Sequence, residues 1–73
     1  MKKLILAMYN VESEQMEYVN FDEILKFSQY SDEEVLITYK NGNLGRFWCQ
    51  DFKIFVNRVN EELTNGSSGI VRF

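Results

Sequence analysis

Cys49 is the only cysteine of the 73 residues, and the chain has no histidine. A cysteine nucleophile works as a thiolate, which a neighbouring imidazole or other cation normally draws out. Without that partner, Cys49 reads as a small buried apolar side chain at a strand end. Six of the eleven acidic side chains fall in the adjacent pairs Asp22-Glu23, Glu33-Glu34 and Glu61-Glu62. Sequence neighbours point to different sides of a strand or helix. Such pairs do not converge on one substrate atom as a general acid and base. Gly42, Gly45, Gly66 and Gly69 match neither the dinucleotide fingerprint nor the phosphate-binding loop. The sequence predicts no enzyme, no cofactor and no metal-ligand set.

Tyr39, Arg46, Phe47, Trp48 and Lys53 mix basic and aromatic side chains. Nucleic-acid platforms use that mixture, and so do hot spots between proteins. Charge decides between the two. The net charge is −3. Residues 1–36 carry three cations against eight anions, a net −5, and residues 37–73 carry five cations against three anions, a net +2. An acidic first half repels phosphate. Nucleic acid is therefore expected to bind weakly, without sequence preference, and a protein partner is the expected one.

The elements that must position these residues centre on a hairpin and a helix. Val35-Leu36-Ile37-Thr38-Tyr39 and Leu44-Gly45-Arg46-Phe47-Trp48-Cys49 read as strands joined at Asn41-Gly42. A two-residue type I′ turn would pair Lys40 with Asn43. Val35, Ile37 and Tyr39 would then share a face with Leu44, Arg46 and Trp48. A three-residue loop with Gly42 in the left-handed conformation pairs Tyr39 with Asn43 instead, and puts Gly45, Phe47 and Cys49 on that face. The second register keeps Arg46 out of the core and is the preferred reading. It leaves Glu34, Leu36, Thr38, Leu44, Arg46 and Trp48 together on the other face, the expected partner-binding surface. Trp48 is expected to be at least partly exposed.

The helix follows from about Asp51 to Leu63. Phe52, Phe55, Val56, Val59 and Leu63 recur at three- and four-residue spacing and predict a core-facing stripe. Asp51 sits where the helix dipole favours a negative charge. Arg58 is four residues from Glu62, within reach of an ion pair. Asn65-Gly66 is a natural stop. Upstream, Lys3 to Tyr9 is apolar on both faces and predicts a central strand. Met1 to Met8, with Lys2 and Lys3 ahead of an apolar run, resembles a signal peptide only briefly, since acidic residues follow Tyr9-Asn10 and no small-residue cleavage site appears. Met16 to Phe21 reads as a second strand pairing back onto the first. Asp22 to Tyr30 is either a short helix or a turn plus strand, and the weak helix formers Phe27, Ser28, Tyr30 and Ser31 favour the latter.

The predicted fold is α+β: a small antiparallel meander of four or five strands packed on one C-terminal helix. Residues 1–64 are read as a single domain. Residues 65–73 are read as a flexible link, Gly66-Ser67-Ser68-Gly69, and a tail or edge strand, Ile70-Val71-Arg72-Phe73. An exposed edge there would recruit a second copy of the chain. The order Phe21-Asp22-Glu23-Ile24-Leu25, strand, Asn-Gly hairpin, helix is similar to that of LytTR-type DNA-binding domains. The resemblance implies a nucleic-acid-binding regulator. Those domains are larger and their binding loops are basic, whereas the corresponding loop here is Ser31-Asp32-Glu33-Glu34, so no site residue carries over.

No segment approaches the length of a membrane span. A single cysteine fits a reducing, cytoplasmic setting. The bias toward Lys, Asn, Ile, Phe and Tyr points to an AT-rich genome. Together these readings favour a small, acidic, cytoplasmic protein-binding module of the kind a phage or mobile element encodes as an inhibitor of a host protein. A self-assembling structural subunit is the alternative, with the LytTR-like regulator behind it.

Overall fold

A computed structural model of the chain describes residues 3–66 and 69–73. The middle of the expected link, Ser67-Ser68, lies outside the described residues, as do Met1 and Lys2. The strands are β1 (Leu4–Asn10), β2 (Gln15–Asn20), β3 (Ile24–Ser31), β4 (Glu34–Tyr39), β5 (Leu44–Trp48) and β6 (Gly69–Arg72), with one helix, α1 (Phe52–Thr64). A 3₁₀ turn, Phe21–Glu23, separates β2 from β3. Asp22 to Tyr30 is thus a turn plus a strand, and the expected α+β meander with its C-terminal helix is the observed fold.

The strand order is β2-β1-β5-β4-β3. It is a five-strand meander curled until its last strand meets its first, leaving β2 and β3 unpaired with each other. The seam between β5 and β1 is short: Tyr9 lies opposite Trp48, Asn10 opposite Phe47, and the Val11 N–H donates to the Arg46 carbonyl at 3.1 Å. β6 occupies the other half of the same β1 edge, in parallel, from Leu4 opposite Gly69 to Ala7 opposite Arg72. β1 therefore has neighbours on both edges, which is why its sequence is apolar on both faces.

Register assigns every side chain of the hairpin. Val35 lies opposite Phe47, Leu36 opposite Arg46 and Ile37 opposite Gly45. The Tyr39 N–H donates to the Asn43 carbonyl at 2.8 Å, and the Gly42 N–H donates to the Tyr39 carbonyl at 2.9 Å. Gly42 has φ of 91°, the left-handed conformation that the three-residue loop requires. Val35, Ile37, Phe47 and Cys49 are consequently buried, and they join Leu4, Leu6 and Met8 of β1 and Val19 of β2 in one core.

The helix closes that core. Asp51 caps it, its carboxylate accepting from the N–H groups of Lys53 at 2.9 Å and Ile54 at 3.2 Å. At the other end the Asn65 N–H donates to the Glu61 carbonyl at 2.9 Å and Gly66 turns left-handed, with φ of 66°. Phe55 and Val59 are buried and Phe52 and Val56 are half-buried, but Leu63, expected on the same stripe, is exposed. Leu63 instead lines an open groove between the helix and β3, with Ile24, Leu25 and Val59. The Phe55 ring meets Phe27 of β3 edge-on at 5.2 Å and Phe73 at 4.8 Å, and so links the middle of the sheet to the C-terminal strand. Arg58 does not pair with Glu62. Its guanidinium lies over the Phe73 ring at 5.0 Å, a contact that only the return of β6 makes available.

Gly45 stands on the inner face because Phe47 needs the space. A Cβ there would lie 2.6 Å from Cε2 of the Phe47 ring, which is fully buried and has nowhere to retreat. Gly45→Ala is therefore expected to cost about 1–3 kcal/mol, measured by urea unfolding. At Gly42 a Cβ meets nothing within 4 Å, so Gly42→Ala carries only the strain of a left-handed backbone, about 1–2 kcal/mol. Equal and negligible effects at both positions would contradict the register.

Candidate functional site

The outer face of the hairpin is built by the same alternation that fills the core. Glu34, Leu36 and Thr38 of β4 and Leu44, Arg46 and Trp48 of β5 alternate with the buried Val35, Ile37, Gly45 and Phe47 and so share the other face of the hairpin. The structure brings all six expected residues together on one face. β1 and β2 continue the sheet beside them and do not fold over it. Leu44 is 62% exposed and Trp48 39%, while Leu36 and Thr38 are half-buried.

Arg46 is held in place from two sides. Its Nε lies 3.3 Å from Glu34 Oε2, the only ion pair among the described residues. The Nε–H does not point at that oxygen and makes no hydrogen bond, so the attraction there is of charge alone. On the other side Nη1 donates to the Tyr30 hydroxyl at 3.1 Å, and the guanidinium lies 4.8 Å from the Tyr30 ring centre. Because the pair is partly exposed, water screens it, and it fixes the Arg46 geometry more than it stabilises the fold.

Sequence reasoning did not include Tyr30. It sits in a β-bulge, between Gln29 opposite Val35 and Ser31 opposite Glu34, and the extra residue re-aims its ring. Nor did it include the neighbours that strand order supplies. Tyr9 lies directly opposite Trp48, Met16 opposite Tyr9, Tyr18 opposite Ala7, and Ile70 opposite Ile5. Tyr9, Met16, Tyr18 and Ile70 are all exposed, so the apolar surface runs from the hairpin across β1 to β2 and β6. Their alternation within each strand was visible, but the β5–β1 and β6–β1 pairings were not. Trp48 also walls an apolar groove of about 190 Å³, closed by Ile54, Phe55 and Phe73, with Arg58 and Asp51 at its rim.

A second, polar groove of about 490 Å³ lies at the other end of the hairpin. Glu17, Tyr18, Val19 and Asn20 of β2 form one side, and Glu23, Tyr39 and the Asn41–Gly45 tip form the other. Burial raises the Tyr39 hydroxyl above its ordinary pKa, and the carboxylates of Glu17 and Glu23 raise it further. Burial likewise raises the Cys49 thiol, with smaller contributions from Asp51, Glu34 and Glu33. The buried Cys49 is thus held as a thiol, the state of a packing residue and not of a nucleophile. Among the described residues no group of three or more His, Cys, Asp or Glu side chains is placed to hold a metal ion, and no helix is long and apolar enough to cross a membrane.

Comparison with protein-family models, with curated proteins and with solved structures gives no significant match for this chain.

The two raised groups fix the sign of the alkaline response. The folded protein keeps protons on Cys49 and Tyr39 that the unfolded chain releases. The stability this confers is fully present below the unfolded values, about 8.5 for Cys and about 10 for Tyr, and is lost as pH rises through the higher folded values. Urea unfolding should therefore give a stability difference between wild type and Cys49→Ala that is flat up to about pH 8 and shrinks above about pH 9. A difference that stays flat to about pH 10 would show the thiol to be unperturbed.

Proposed function

We propose that the chain is a small non-enzymatic protein-binding module of the cytoplasm, and that its partner meets the outer face formed by Glu34, Leu36, Thr38, Leu44, Arg46 and Trp48. One observation supports this reading above the others. An exposed Trp and a pre-positioned Arg stand together on a rigid sheet. Trp and Arg dominate the energetics of protein interfaces when they sit in a packed apolar surround. Here Leu36, Leu44 and Tyr9 form that surround, and the apolar groove beside Trp48 offers a socket for a partner's side chain. Arg46 has already given up much of its side-chain freedom to Glu34 and Tyr30, so less remains to be lost on binding.

Self-assembly is the weaker reading. Ile70–Phe73, the segment that would recruit a second copy by its edge, is paired with β1 of the same chain, and Val71 is buried there. Binding of nucleic acid is weaker still, because the outer face offers Arg46 already paired to Glu34 and the Asp32-Glu33 turn at its edge is acidic.

Affinity capture with the wild-type protein and with Trp48→Ala tests the proposal. Trp48→Ala is expected to lose at least about tenfold in partner binding, the scale of a hot-spot residue, while the melting temperature falls by no more than a few degrees. Leu25→Ala, at an exposed position of β3 beside α1 and away from Trp48, is expected to change neither. Equal retention of the partner by wild type and Trp48→Ala would overturn the assignment of this face.

A further inference from the structure

We infer that the polar groove beside β2 is a second binding site, and that its ligand is a basic peptide segment in extended conformation, added as a strand to the free edge of β2. This does not rest on the role proposed for the Trp48 face.

The first observation is the unpaired edge. Among the described residues β2 pairs only with β1, and the meander lacks the β2–β3 pairing that would close it. Four consecutive residues of β2, Glu17 to Asn20, line the groove. Side chains alternate across a strand, so a surface touched by four in a row is the backbone edge itself. Its outward N–H and C=O groups are those that a peptide strand would use.

The second observation is charge. Glu17 and Glu23 face each other across the groove, close enough that both act on Tyr39. Among the described residues no lysine or arginine lines it, and Lys40 lies just outside, beside Tyr39 and Asn41. The surrounding β1–β2 turn and 3₁₀ turn add Glu12, Glu14 and Asp22. Carboxylates on opposite walls, with the Tyr39 ring beside both, suit a lysine or arginine side chain.

The third observation is the remaining polar chemistry. The side-chain oxygens of Asn10, Asn20 and Asn41 are already taken by the backbone N–H groups of Glu12 and Ser13, Asp22, and Asn43. These three side chains therefore have N–H donors left to offer, which match the carbonyls of an extended chain. The groove thus presents donors for carbonyls, carboxylates for a cation, and a strand edge for backbone pairing.

The test uses the whole protein and four short synthetic peptides: one alternating lysine with valine, one alternating glutamate with valine, and the lysine peptide N-methylated at alternate residues in each of the two possible phases. Binding is followed by amide chemical shifts and titration calorimetry. The lysine peptide is expected to shift the amides of Glu17–Asn20 and to weaken as salt is raised. The Glu17→Gln, Glu23→Gln double variant should bind it about tenfold less tightly. Both substitutions keep the side-chain shape, and an unchanged amide spectrum of the free variant confirms its fold. The glutamate peptide should not bind. N-methylation in one of the two alternate phases should abolish binding. No binding by the lysine peptide, shifts confined to another surface, or equal affinity in the double variant would overturn the site. Equal binding by both N-methylated phases would overturn strand addition.

Discussion

The Tyr39 N–H donates to the Asn43 carbonyl, and Gly42 turns left-handed to make that possible. This contact sets the register of β4 against β5, and the register sets everything the hairpin presents. Shifted by one residue, Arg46 and Trp48 would face the helix, and Phe47 would face water. An unpaired guanidinium in a core this small would cost several kcal/mol, comparable to the whole stability of a domain of this size. The turn therefore selects between one foldable arrangement and one that is not.

The rest of the architecture follows from that choice. With Phe47 turned inward over Gly45, the inner face becomes concave and mostly aliphatic, and α1 lays Phe55 and Val59 into it. Phe55 then bridges Phe27 and Phe73, so the C-terminal strand is held both by its pairing to β1 and by a ring contact with the helix. With Trp48 turned outward, the short β5–β1 seam places it directly beside Tyr9. One register thus produces a closed core and a continuous aromatic exterior. The open side of the curl, where β2 and β3 do not pair, is where the acidic groove lies.

The hairpin was legible in the sequence because a local rule and a global one agreed. Asn41-Gly42 limits the turn to two geometries, and the charge on Arg46 rejects one of them. The helix was legible from its period and from Asp51, although Asp51 acts as the cap that precedes the first turn and not as a residue within it. Phe27 to Tyr30 could be read as strand from poor helix formers alone. What could not be read were the long-range pairings. Nothing local marks Tyr9 as the partner of Trp48, or β6 as parallel to β1. Tyr30 was missed because a bulge changes the alternation on which face assignments rest. Leu63 was expected to be buried because its helical spacing is right, but it lines an open groove against β3 and stays exposed. The six outer-face residues were therefore identifiable, while the surface surrounding them came from topology.

Acrylamide quenching of the single tryptophan tests the register most directly, because Trp48 changes faces if the hairpin slips by one residue. The account predicts emission to the red of a fully buried indole and efficient quenching in the isolated protein, as a side chain 39% exposed requires. Fully blue-shifted emission that acrylamide does not quench would place Trp48 in the core, would imply the two-residue turn, and would contradict the account.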